Sequence, residues 1–441
     1  MATILIIGGG KSSSYLINFL AHSCLTKERS LLVADLDVTH LNDLLKSRKN
    51  TEVRGLNIFD DDARKSLIDA ADLVISMLPA KLHPIIAKEC LLLGKHFFSA
   101  SYESEEMKNM KEEIEKKGLF FLNECGLDPG IDHMSAMRII DKAKTAGEKI
   151  ISFKSYCGGL LAPESEDNPW KYKFTWNPRN VVLAGQGTSR YLENNELKIV
   201  PYHQLFRRLD QLSFDKLGDF EGYPNRDSLS YREIYGLESV HTILRGTLRR
   251  AGYCKAWDVF VQLGMCEDSI QLDLSEGTTQ RQFLNSFLPY DKKLSVEEKL
   301  GNIIPNFDFD TWEKIQWLGF FSETPLLKWQ GSPAAILQSI LEKNWSLSSE
   351  DKDMIVMQHQ FEIETDKGNK KITSSLVIFG EDSTYTAMAK TVGFPLAIAA
   401  DSFLDGKINL VGLHLPVIPE IYTPILETLA QFGIIFHEKS S

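Results

Sequence analysis

Thr3-Ile4-Leu5-Ile6-Ile7-Gly8-Gly9-Gly10-Lys11-Ser12-Ser13, running on through Tyr15-Leu16-Ile17-Asn18-Phe19-Leu20, is the stretch whose reading decides the fold. A β-branched apolar run that ends in glycines and passes into helical spacing predicts a strand, a tight turn and a helix. Glycines let the backbone come close to an anion, and the N–H groups and positive dipole of a helix start hold it there. Gly10-Lys11-Ser12 ends like a P-loop, but that motif needs a glycine where Leu5 stands. The dinucleotide fingerprint G-x-G-x-x-G/A fits Gly8 and Gly10, with Ser13 as a small residue in the third slot.

Ser30-Leu31-Leu32-Val33-Ala34-Asp35 reads as a second strand ending in an acid, 25 residues after Gly10. That is near the spacing of about 20 expected for a ribose-binding carboxylate. Such a carboxylate accepts hydrogen bonds from the ribose hydroxyls and repels a 2′-phosphate, so NAD is expected over NADP. The competing reading makes Asp35 a solvated turn residue.

At 441 residues, two or three domains are expected. The hydrophobic fraction of 43% and charged fraction of 25% are those of a soluble globular protein. No run approaches the roughly 18 apolar residues of a membrane span, and no basic leader precedes the first apolar stretch, so a cytoplasmic location is expected. A net charge of −11 speaks against nucleic-acid and anionic-membrane partners. Six scattered cysteines without C-x-x-C pairs predict reduced thiols and no metal site.

After the opening unit, Glu52–Leu56, Leu73–Pro79, His96–Ala100 and Leu119–Leu122 read as strands between helical stretches such as Glu105–Lys117. Repeated βα units predict a doubly wound α/β parallel sheet of Rossmann type, with ligands at the carboxyl ends of the strands. That brings Asp35, Ser76 and the Ala100-Ser101-Tyr102 segment to one crevice.

Gly126-Leu127-Asp128-Pro129-Gly130 reads as a hinge into a second domain, followed by a helix from Met134 to Ala146 and a strand from Ile150 to Tyr156. Cys266 to about Glu350 reads as a helical insertion, with a capping box at Ser295 and Glu298 and an N-cap at Ser332-Pro333. Met354–Glu364 and Ile372–Phe379 read as a hairpin in an antiparallel sheet. The expected organisation is a dinucleotide-binding domain over 1–125 completed by 394–441, an α+β substrate and dimerisation domain over 126–265 and 351–393, and a helical insertion over 266–350.

Arginine clusters at Arg226 and at Arg245, Arg249 and Arg250. Guanidinium forks grip carboxylates two bonds at a time, which in an acidic protein points to a polyanionic small substrate. Thr247 adds a hydroxyl. Surface ion pairing with Asp227 and Glu233 is the competing reading. Asp128 is a candidate to orient an amine or move a proton, against the reading that Asp-Pro-Gly is good turn chemistry. Cys157 reads as a small buried residue before it reads as a nucleophile. Tyr102 packs or donates a hydrogen bond, and His133 reads as a structural histidine.

Several long segments together resemble saccharopine dehydrogenase of the glutamate-forming type. They are Glu124-Cys125-Gly126-Leu127-Asp128-Pro129-Gly130-Ile131-Asp132-His133, Ser155-Tyr156-Cys157-Gly158-Gly159 through Ala162-Pro163-Glu164 to Tyr172-Lys173-Phe174, Gly222–Ser228, Leu244–Arg249, Lys352–Met357 and Ala387–Gly393. The resemblance covers nearly the whole chain. It implies a nucleotide domain formed by both chain ends, a homodimer, and a tricarboxylate amino-acid substrate whose oxidation yields glutamate and 2-aminoadipate 6-semialdehyde.

Position by position, the resemblance makes Ser101, Tyr102, Asp128, Arg226, Thr247, Leu248 and Arg249 substrate contacts. It gives Gly8, Gly10, Lys11, Ser12, Ser13, Asp35, Leu36, Ser76, Ala100, Ser101, Leu127, Asp128 and Pro129 to the cofactor. Asp128, Tyr102 and Cys157 become the candidate catalytic groups, with no obligatory general base because the substrate amine can hold the proton. Asp35-Leu36-Asp37 resembles the NAD-linked fused enzyme of animals, whereas fungal relatives carry an arginine there and use NADP. Leu161 and Ala80 depart from the family pattern. The competing functions are a related amine–carboxylate dehydrogenase, such as one acting on carboxynorspermidine, and a silent NAD-binding protein.

Overall fold

The computed structural model describes residues 1–46 and 48–441, which divide into two compact units. The first comprises Met1–Lys149 and Ser374–Glu438, the second Ile150–Thr373 and Lys439–Ser441.

The first unit is built on a seven-stranded sheet in the order Gly412–His414, Phe120–Leu122, His96–Ser99, Leu73–Ser76, Thr3–Ile7, Ser30–Asp35, Thr51–Gly55. Every pairing is parallel, with Ile7 opposite both Ala34 and Ser76. Strands buried on both faces need unbroken apolar runs, and Ile4 to Ile7 are fully buried. Chain order reverses between Thr3–Ile7 and Leu73–Ser76, the switch point at which sheets of this kind bind ligands.

The helix Ala387–Leu404 packs on the helix Ser14–Thr26, and a Cβ on Gly393 would lie 2.8 Å from the Leu16 nitrogen. By length and composition alone this helix could cross a membrane, contrary to the expectation that no such run exists, but 72% of it is buried inside the fold.

The second unit carries a nine-stranded sheet with the core order Asp210–Phe214, Gly218–Pro224, Thr242–Arg250, Lys149–Leu161, Asp353–Thr365, Gly368–Phe379. The sheet is mixed rather than antiparallel, because Thr242–Thr247 runs parallel to Ser152–Cys157. Strand Lys149–Leu161 continues through Gly158, where a Cβ would meet the Leu248 carbonyl oxygen at 2.7 Å.

Segment 266–350 is helical, with a two-stranded ribbon between Leu272–Asp273 and Gln330–Gly331. The capping box at Ser295 and Glu298 and the N-cap at Ser332 are both present. An aromatic cluster of Trp170, Tyr172, Tyr253, Trp257, Phe260 and Trp345 fills this unit's core.

The unit boundaries differ from the expected domains. The helix after the Gly126–Gly130 turn, Ile131–Thr145, is grouped with the first compact unit and packs on Pro419–Gln431, where the Tyr422 hydroxyl donates to Asp141 Oδ2 at 2.7 Å. The return point lies at Ser374 rather than 394 because the helix Ala387–Leu404 is buried on the nucleotide side, and the last three residues rejoin the second unit.

Candidate cofactor and substrate sites

The glycine turn has three distinct roles in three successive residues. Gly8 has φ +104°, and a Cβ there would lie 2.9 Å from the Met77 carbonyl carbon. Gly9, a free position in the fingerprint, is held less strictly: a Cβ there would meet the end of the Leu41 side chain at 2.6 Å rather than backbone. A Cβ on Gly10 would meet nothing within 4 Å, so the backbone there opens outward. The Ser13 hydroxyl donates to the Gly10 carbonyl at 2.7 Å rather than capping the helix, and the first turn of Ser14–Thr26 carries no acid. Uncapped N–H groups beside an open glycine fit a pyrophosphate. Lys11 is exposed and Ser12 half-buried at the tip of the turn, and Leu36 is exposed after the second strand.

Asp35 is tied to this turn. Its Oδ2 accepts the Gly9 N–H at 2.5 Å and its Oδ1 the Asp37 N–H at 3.2 Å. Both oxygens thus have local work in holding the loop, an alternative cause for the spacing that suggested a ribose contact.

Along the next strand ends, Ser76 is fully buried and Ser101 half-buried, with the His83 ring between their hydroxyls. Ala100 and Gly126 pack together: a Cβ on Gly126 would lie 2.9 Å from the Ala100 Cβ. The loop Gly126–Gly130 closes on itself through Gly126 N–H to Pro129 O at 2.9 Å and Ile131 N–H to Gly126 O at 2.8 Å. Gly130, at φ +144°, allows no side chain because its Cβ would overlap Gly126.

This loop buries Leu127 and Pro129 and leaves Asp128 half-buried, where the Tyr102 hydroxyl donates to its Oδ1 at 3.1 Å. Ser101, Tyr102 and Asp128 are therefore brought together in the first unit. Behind them His133, fully buried, lies 2.8 Å from Glu124 Oε2, which agrees with its structural reading.

In the second unit, backbone register puts Cys157, Thr247 and Tyr223 side by side on one face of three neighbouring strands. Cys157 is 6% exposed and Thr247 half-buried; Leu248, on the opposite face, is fully buried. Arg226 is exposed on the loop after Gly218–Pro224, at φ +50°, while its neighbour Asp227 pairs with Arg190.

The second arginine cluster is different. Arg250 is buried against Glu166 and the Leu217 carbonyl, and Arg245 lies 4.2 Å over the Tyr231 ring. Arg249, 3% exposed, sits among the rings of Tyr172, Tyr253 and Tyr223 at 5.1, 5.3 and 5.9 Å. Burial raises all three phenols, so they stay neutral and contribute ring faces and oxygens rather than charge.

Sequence reasoning missed His83, Gly9 and this tyrosine box. His83 carried a usable signal, since it follows a strand end by seven residues and sits where ligands bind. The box had none, because Tyr172, Tyr223 and Tyr253 are far apart in the chain. A cleft of about 560 Å³ in the first unit, lined by Tyr15, Phe19, Tyr385, Phe394 and Phe432, runs along the first helix, and its acids are already engaged: Glu381 by Tyr15 and Asp401 by Ser23, Lys27 and Arg29.

Residues 4–122 match the saccharopine dehydrogenase NADP binding domain, and residues 126–434 the saccharopine dehydrogenase C-terminal domain. The chain is 33% identical to saccharopine dehydrogenase [NADP(+), L-glutamate-forming] of Schizosaccharomyces pombe, over 100% of this chain and 99% of that protein. It is 36% identical to the mitochondrial alpha-aminoadipic semialdehyde synthase of Rattus norvegicus over 99% of its own length, but spans only about half (48%) of that relative.

Apo saccharopine dehydrogenase (L-Glu forming) from Saccharomyces cerevisiae superposes with a TM-score of 0.90 at 32% identity, each chain covered completely. The expectation of NAD is corrected by these matches: the cofactor-domain model is an NADP-binding one and the S. pombe relative is an NADP(+) enzyme, while Asp35 is occupied in holding the glycine turn. Matched along both units, with the strand-end cluster in place, this chain belongs to the saccharopine dehydrogenase family.

Proposed function

We propose that the chain interconverts saccharopine and water with glutamate and 2-aminoadipate 6-semialdehyde, using NADP. The observation that carries this reading is the grouping of Ser101, Tyr102 and Asp128 at the strand ends beside the open glycine turn, in a chain alike from end to end to a glutamate-forming saccharopine dehydrogenase.

Gly8 to Ser13 would hold the cofactor's pyrophosphate, and Leu127 and Pro129 would line its nicotinamide end. When bound, NADP supplies the hydride acceptor for the lysine ε-carbon of the substrate. Asp128, steadied by the Tyr102 hydroxyl, holds the secondary amine and so fixes the carbon's orientation. The amine's own proton leaves as the imine forms, and water adds to that carbon to release glutamate. The exposed guanidinium of Arg226 and the hydroxyl of Thr247 supply donors for substrate carboxylates. A homodimer is part of the proposal and is checked by sedimentation.

The test is a substrate panel. NADPH formation should appear with saccharopine and be far slower with carboxynorspermidine and other secondary-amine acids. Turnover of one of those in preference to saccharopine would replace the substrate, and NADP binding without any turnover would leave a silent protein of the same fold.

A further inference from the structure

Three side chains at the carboxyl ends of two neighbouring strands form one chain of hydrogen bonds. His83 opens the helix His83–Leu93, and its 4%-exposed residue places the ring with Nδ1 2.8 Å from Ser76 Oγ and Nε2 2.6 Å from Ser101 Oγ. Burial pulls the ring's pKa down to about 4, so at neutral pH it carries one hydrogen: one nitrogen donates and the other accepts.

The Ser76 side chain decides which. Ser76 is fully buried, and among the described residues His83 is the one hydrogen-bond partner of its hydroxyl. Were the hydrogen on Nδ1, Ser76 Oγ would accept it and the serine's own buried proton would have no acceptor, which is the costlier arrangement. The serine therefore donates to Nδ1, the ring hydrogen sits on Nε2, and Nε2–H donates to Ser101 Oγ. Ser101, half-buried with its backbone N–H on Ser99 Oγ at 3.0 Å, is left with a hydroxyl proton to give outward.

We propose that His83 is a positioning residue whose Nε2–H tautomer makes the Ser101 hydroxyl a donor, selecting an acceptor-only group, a carboxylate of the amino-acid substrate. The substrate half of this statement rests on the proposed function; the tautomer does not. A carboxylate has no proton to offer, so a Ser101 hydroxyl committed to His83 as donor would meet it lone pair to lone pair.

Two measurements test the idea. In the kinetic one, His83→Leu and Ser101→Ala should each raise the KM for saccharopine about tenfold, the scale of one hydrogen bond, with kcat within about twofold. The double variant should be no worse than Ser101→Ala alone; multiplying losses would mean that His83 does not act through Ser101 and would overturn the proposal.

The second measurement uses imidazole-¹⁵N-labelled full-length protein without ligand, with the His83 signals identified by their loss in His83→Gln. Nε2 should be protonated and Nδ1 bare at neutral pH; hydrogen on Nδ1, or on both, overturns the proposal. Failure of the wild type to turn over saccharopine would instead strike the substrate reading, and the tautomer would still be decided by the NMR signals.

Discussion

Arg226 and Arg249 look equivalent in the chain, each two residues from a hydroxyl, Ser228 and Thr247, but their heads meet different surroundings. Arg226 stands exposed on a loop, whereas Arg249 is enclosed by tyrosine rings. Arg226→Ala should therefore cost saccharopine use about 2 kcal/mol in kcat/KM, the loss of a charge-assisted pair, and leave NADP affinity nearly intact; an unchanged kcat/KM removes it from the site.

For Asp35, the Asn variant keeps an acceptor for the Gly9 N–H and removes the negative charge. It should fold normally and bind NADP a few-fold more tightly with NAD nearly unaffected, as read by titration of both cofactors.

His83 makes a third prediction. Its native pKa of about 4 lies below the ordinary 6.5, so between those values the unfolded chain takes up a proton that the native one refuses. The stability it contributes is present above about pH 6.5 and is lost as pH falls through about 4, by up to about 3 kcal/mol. Denaturation of His83→Gln should show a correspondingly flatter acid limb, and an identical slope would mean that the ring is not held neutral. At this scale the sequence revealed which residue types carry charge and hydroxyls, and Asp128 was legible from its turn. What it concealed was direction: nothing local says that Arg249 points into rings, or that Asp35 turns back onto Gly9.

Among elements, the first strand, turn and helix were readable because their determinants are adjacent: apolar β-branched residues, then glycines, then helical spacing. Caps were readable for the same reason, as Ser295 and Ser332 show. The direction of Thr242–Arg250 beside Lys149–Leu161 was not, since pairing between strands some ninety residues apart depends on tertiary packing.

One inter-helix contact gives a prediction. Gly393→Ala would put a Cβ 2.8 Å from the Leu16 nitrogen, against backbone that has little room to move. It should destabilise the protein by about 1–3 kcal/mol, the usual cost of overpacking. Because the helix Ser14–Thr26 starts at the pyrophosphate site proposed above, NADP affinity should fall with it. Unchanged thermal stability and affinity would mean that the helices are not held this closely.

The molecule as a whole carries a net charge of −11, an unwelcoming field for the tricarboxylate proposed as substrate, so the proposed function asks local donors to offset it. The return of the chain's last stretch to the first unit was expected from its helix and short-strand pattern and again from the family resemblance; the compact unit takes in Ser374–Glu438, because buried helix faces, not loop composition, decide which unit a segment joins.

The central claim is a reaction with fixed stoichiometry, and product analysis tests it most directly. Purified protein given saccharopine and NADP should form one glutamate for each NADPH, with a higher kcat/KM for NADP than for NAD. NADPH formed without glutamate, glutamate absent altogether, or a preference for NAD would contradict it.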